Sequence, residues 1–138
     1  MNVPYVLRRA KRFHANRTAT IDGNHIVSYD QFFSKVMRGA HALRGSGIAP
    51  GDRVAVLMLN SPLYLELYYA IPQIGAIIVP LNTRWNLDDV VLTLRDSGSK
   101  LLLLDDRFST WREPIAARCP ELLQLHIAFY TGQSESGA

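Results

Sequence analysis

Cysteine is nearly absent. Cys119 is the only one in 138 residues, which excludes an internal disulfide framework and any site built from several thiolates. Long apolar runs are lacking as well. The longest, residues 67–81, is shorter than a bilayer span and carries Gln73, Pro72 and Pro80. There is no Gly-x-x-x-x-Gly-Lys-Ser/Thr run, no internal repeat and no low-complexity tract. Acids are missing from the start of the chain: Arg8, Arg9, Lys11, Arg12 and Arg17 all precede Asp22. Those five bases exceed the whole formal net charge of +3, and the remaining 10 basic and 12 acidic residues balance at −2. The basic character therefore belongs to one segment and not to a basic domain.

What is present is ordinary for a globular chain: 48% hydrophobic and 20% charged residues, enough for one core and one domain. Residues 1–17 admit three readings. A nucleic-acid arm would need a following aromatic platform or motif, and none follows. A transit peptide is Arg-rich and acid-poor. The preferred reading is a surface helix with Val3, Val6, Leu7, Ala10 and Phe13 on one side. Charges from Arg8 onward interrupt any apolar core of a secretory signal, so a cytoplasmic location is expected.

Two short runs, 19–21 and 26–28, flank Asp22-Gly23-Asn24 and predict a small hairpin. Ser28 and Gln31 fit a capping box for a helix whose stripe is Tyr29, Phe32, Phe33, Val36, Met37, Ala40 and Leu43. Gly45 and Gly47 supply its stop. RVAVLML (53–59), AIIVPL (76–81) and KLLLL (100–104) have the composition of buried strands. Between them, Ser61-Pro62 and Asn86 start helices, the first expected to be kinked or shortened at Pro72. A broken helix interrupted by Pro114 and a fourth strand over 123–129 complete the pattern, with residues 131–138 read as a frayed tail. The alternation of strand and helix predicts an α/β fold: a parallel βαβ sheet with helices on both faces.

Candidate chemistry is sparse. Gly45-Ser46-Gly47 and Gly51 resemble a dinucleotide loop, but they follow a helix and open a strand, the reverse of what that loop requires. His14, His25, His41 and His126 lack partners at metal spacing. Asp105-Asp106 could approach Mg²⁺ in an α/β fold and are read as helix caps. Asn82-Thr83-Arg84-Trp85-Asn86 lies beyond the carboxyl end of a sheet strand, the edge where open α/β sheets bind ligands. Arg84 there is a fixed cation suited to phosphate, and Trp85 could stack beside it or pack over the sheet.

PGDRVAVLMLNSP, then GAIIVPLN, then NLDDVVLTLRDSGSKLLL, preceded by TATIDGNHIVSYDQF, resemble in order and spacing the opening of the adenylate-forming enzymes. The resemblance is narrower to acyl-CoA synthetases, the AMP-dependent acid–thiol ligases, and covers residues 3–129. It implies a partial N-terminal domain of that fold over residues 1–130. It also implies the family's reaction: a carboxylic acid and ATP give an acyl-adenylate and pyrophosphate, then coenzyme A displaces AMP to give a thioester. ATP, Mg²⁺ and CoA are thus implied for the full-length family, with none bound by this chain alone. The family's phosphate loop, a Ser/Thr/Gly-rich run ending in Pro-Lys, has no counterpart here. Tyr130-Thr131-Gly132 and Ser136-Gly137 resemble it only by chance. No catalytic, ATP-binding or metal residue carries over. Arg84 alone matches, in an Asn-x-Arg loop that in CoA ligases can approach the nucleotide end of CoA. Pro72 departs from the family's usual uninterrupted helix.

The expectation is an N-terminal fragment of an acyl-CoA synthetase, inactive alone, whose partner is the remainder of the synthetase or a second copy through exposed apolar surface, not nucleic acid. The alternatives are a non-catalytic module that associates with a complete synthetase, or a flavodoxin-like binder of small phosphorylated ligands.

Overall fold

Alternation along two central strands sets the architecture. In β3 (Arg53–Leu57) and β5 (Leu101–Asp105), successive side chains point to opposite faces of one sheet, and both faces are covered. The computed structural model describes residues 3–22 and 25–127. Its other elements are α1 (Val3–His14), β1 (Thr18–Asp22), β2 (His25–Ser28), α2 (Tyr29–Gly45), α3 (Pro62–Gln73), β4 (Ile77–Pro80) and α4 (Leu87–Ser97). A 3-10 segment (Asp106–Trp111), α5 (Arg112–Arg118) and β6 (Leu123–Ile127) follow.

Four parallel strands stand in the order β4-β3-β5-β6. From β3 the chain steps outward to β4 through α3, then back across β3 to β5 through α4. Right-handed crossovers in opposite directions must lie on opposite faces, and they do. On one face Val54, Val56, Leu101 and Leu103 meet Leu7 of α1, Phe32, Val36, Ala40 and Leu43 of α2, and Leu67, Ala70 and Ile71 of α3. On the other, Ala55, Leu57, Leu102 and Leu104 meet Val90, Val91 and Leu94 of α4 and Ile115 of α5. The small hairpin β1-β2 is antiparallel and tucks Val27 under the first cluster. The expected α/β fold is therefore present.

Local chemistry explains most boundaries. Ser28 Oγ accepts from the Gln31 amide while Gln31 Oε1 accepts from the Ser28 amide, a complete capping box. Ser61 Oγ accepts from the Tyr64 amide ahead of Pro62, and Asn86 Oδ1 from the Asp89 amide. α3 runs to Gln73, because Pro72 falls in its last turn, and Gly75 then turns the chain at φ +78°.

Four expectations are corrected. β4 is an edge strand and not a buried one, with Ile77 47% exposed, because its outer side meets no neighbour among the described residues. Of the proposed α1 stripe, Leu7 is buried while Val6 and Phe13 are exposed: the seat between α2 and α3 admits only the side of α1 that carries Leu7. In α2, Met37 is exposed at the margin of the stripe. Pro114 does not interrupt a helix; it lies in the first turn of α5, where no amide donor is needed, and the break comes earlier, at Phe108. Gly23, Asn24, residues 128–129 of the fourth strand and the proposed tail lie outside the described residues.

Candidate functional site

Loops after the strands converge at the carboxyl edge of the sheet. Strand order reverses between β3 and β5, so the crevice beyond their ends is the topological switch point, where doubly wound sheets bind ligands. Here a carboxylate fills it. Asp105, at the end of β5 and 3% exposed, accepts from the Leu59 amide at 3.2 Å and the Arg107 amide at 2.8 Å. The expected cap is present, and it does more than cap. It ties the loop after β3 to the turn after β5. That bond spans 46 residues, so a reading of local spacing finds only half of it.

Arg84 stands one strand over, in the loop after edge strand β4. Asn82 Oδ1 accepts from the Arg84 amide at 2.8 Å and the Asn82 carbonyl from the Trp85 amide at 3.1 Å. This side-chain-braced turn fixes the loop while leaving Arg84 exposed. Trp85 packs on the second core cluster instead of stacking beside Arg84. The structure thus separates the two residues: Trp85 anchors the loop and Arg84 presents a cation to solvent.

Other polar groups lie away from this edge. Asp52 accepts from the Ala49 amide at 2.8 Å and pairs with Lys100 at 3.2 Å at the amino ends of the strands. The Ala49 amide, with Lys100 second, holds its carboxyl below the ordinary value. Glu66 on α3 is half-buried, and burial raises its carboxyl above the ordinary value against the opposing pull of Lys35 and Arg38. His14 and His41 are exposed, while the side chains of His25 and His126 lie outside the described residues. Among the described residues no three His, Cys, Asp or Glu side chains come together as a metal site, and no helix is long and apolar enough to cross a membrane. The Gly45–Gly51 segment joins α2 to β3, the wrong order for a dinucleotide loop.

A half-sheet of this topology, with a hairpin and capping helix before it, is the opening layer of an adenylate-forming fold. It superposes on an anthranilate CoA ligase bound to anthranoyl-AMP with a TM-score of 0.85 and 26% identity, covering 92% of this chain and 25% of that one. Against a Mycobacterium tuberculosis fatty acyl CoA synthetase the TM-score is 0.85 at 30% identity, covering 93% and 26%. The chain belongs to the family of AMP-binding enzymes, whose sequence pattern matches residues 6–134, and corresponds to an N-terminal part of an adenylate-forming synthetase. It is 36% identical over 115 residues to a fatty acid–[acyl-carrier-protein] ligase of Streptomyces coeruleorubidus, covering 80% of this chain and 22% of that protein. It is 41% identical over 97 residues to a feruloyl-CoA synthase of an Amycolatopsis species, covering 70% and 20%. The chain thus spans about a fifth of the length of the curated relatives it matches.

Proposed function

We propose that the chain serves as the N-terminal part of an ATP-dependent acyl-CoA synthetase in the cytoplasm and does not form acyl-adenylates by itself. The supporting observation is the carboxyl edge of its sheet. At the switch point the strand ends carry Asp105 and Asp106, so a triphosphate arriving there meets acidic residues, and the Asp105 carboxylate already holds two backbone amides. Transfer of AMP needs cations and amides aimed at the phosphates. In this proposal those groups, and Mg²⁺ with them, belong to parts of the synthetase outside this chain, and no chemical step is assigned to the residues described. What the chain contributes in this proposal is the scaffold and, in the loop after β4, the exposed cation Arg84, which would meet the phosphates of coenzyme A.

Two measurements test this. The purified chain should give no exchange of labelled pyrophosphate into ATP with any of a panel of fatty and aryl acids; exchange above the protein-free blank overturns the proposal. In a complete synthetase carrying this segment, Arg84→Ala should raise KM for CoA several-fold and leave pyrophosphate exchange unchanged, since CoA enters after adenylation. Equal loss in both half-reactions would remove the CoA role of Arg84.

A further inference from the structure

We infer that α1 docks the protein on an anionic phospholipid surface. α1 is seated in the fold by Leu7, 3% exposed, which packs with residues of α2 and α3. With about 100° per residue, Tyr5, Arg9, Arg12 and Phe13 then share an outward sector roughly 100° wide. Val6 and Arg8 flank it. Tyr5, Val6 and Phe13 are 56%, 42% and 62% exposed, and Arg8, Arg9 and Arg12 are exposed with them. The Arg9 and Arg12 guanidiniums lie 5.8 and 5.4 Å from the Phe13 ring centre. Among the described residues, no carboxylate forms an ion pair with Arg8, Arg9 or Arg12, and no acid precedes Asp22.

Two costs coincide on this face: Val6 and Phe13 left in water, and clustered cations with no carboxylate partner among the described residues. A bilayer of anionic lipid relieves both, taking Phe13 and Val6 at the headgroup boundary and the guanidiniums at the phosphates. A nucleic acid could stack on Phe13 and pair with the guanidiniums, but it would leave aliphatic Val6, 42% exposed, in water, whereas a bilayer takes both apolar residues. The rest of a synthetase could bury the apolar residues, but it would also have to supply three carboxylates.

The test is co-sedimentation of the 138-residue chain with vesicles. The chain should pellet with phosphatidylcholine vesicles containing phosphatidylglycerol, stay in the supernatant with phosphatidylcholine alone, and be released by salt. Replacing Arg8, Arg9 and Arg12 by serine should weaken partitioning on the order of 100-fold. Phe13→Ser should weaken it about ten-fold at unchanged net charge. All four residues are exposed, so the variants should keep the parent's circular dichroism and melting temperature. No binding to phosphatidylglycerol vesicles, equal binding to phosphatidylcholine, tighter capture by a single-stranded oligonucleotide, or Phe13→Ser binding like the parent would each overturn the inference. None of these outcomes bears on pyrophosphate exchange.

Discussion

Asp105 is the most consequential single residue because its carboxylate serves two loops at once. Removing it leaves the Leu59 and Arg107 amides without their acceptor at a part-buried position. Losing two charge-assisted hydrogen bonds there should cost about 2–4 kcal/mol for Asp105→Ala. Asp105→Asn, which keeps one good acceptor, should cost about half as much, as urea unfolding midpoints would show. Glu66 makes a different prediction, in pH. Burial raises its native-state value above the ordinary 4.5. The native state therefore holds this proton more tightly than the unfolded chain does, and stability falls as pH rises from the ordinary value through the native one. Lowering the pH from neutral toward 4.5 should accordingly stabilise the parent more than Glu66→Gln, measured as the difference in denaturation midpoint across that range. Asp52 runs the other way. Its native value is lowered from 3.8, so its contribution is present above that value and is lost as pH falls below it. The two windows do not overlap, which keeps the Glu66 measurement clean.

Helix ends separate conformational strain from steric overlap. Gly98 ends α4 at φ +63° with only the Arg53 guanidinium within 4.0 Å of an added Cβ, so Gly98→Ala should cost about 1–2 kcal/mol for the left-handed backbone alone. Gly75 follows α3 at φ +78°, and its Cβ would stand 3.1 Å from the Pro50 Cβ, in a turn where the Gly51 amide donates to the Gly75 carbonyl. Proline has no side-chain freedom to retreat. Gly75→Ala should therefore cost at least about 1 kcal/mol more than Gly98→Ala in thermal or urea unfolding, and equal costs would mean that the 49–52 turn yields easily. These ends were legible in the sequence because each signal and its partner are close along the chain: Ser28 with Gln31, Ser61 with Tyr64, Asn86 with Asp89. β3 and β5 were legible because a short apolar run between turns has few other fates. The exposure of β4 was not, since AIIVPL reads as buried until the strand order puts it at the edge. Nor was the reach of Asp105 to Leu59, which exists only once two distant strands lie side by side. Nor was the exposure of Val6 and Phe13, since helical spacing puts apolar residues on one side of a helix without saying how much of that side its neighbours cover, and the seat for α1 is narrower than its stripe.

At the scale of the whole molecule, the sheet makes two cores into one. Leu103 and Leu104 are neighbours in sequence and face opposite clusters, each at most 1% exposed. The strands that carry them are shared, so neither cluster can open without exposing backbone that the other covers. Both tryptophans, Trp85 and Trp111, pack on the second cluster only, which makes their fluorescence a reporter for one face. Leu103→Ala leaves a void on the other face and should cost about 2–5 kcal/mol. If the two layers unfold as a unit, that variant must shift the tryptophan transition as far as it shifts far-UV circular dichroism, although no tryptophan belongs to the cluster that was damaged. Leu104→Ala should produce the same coincidence from the other side. A tryptophan transition unmoved by Leu103→Ala would show that the α4–α5 layer holds independently. The sheet would then be a partition between two units and not their common core, and the clasp at Asp105, which joins strand ends belonging to both, would become the element that couples them.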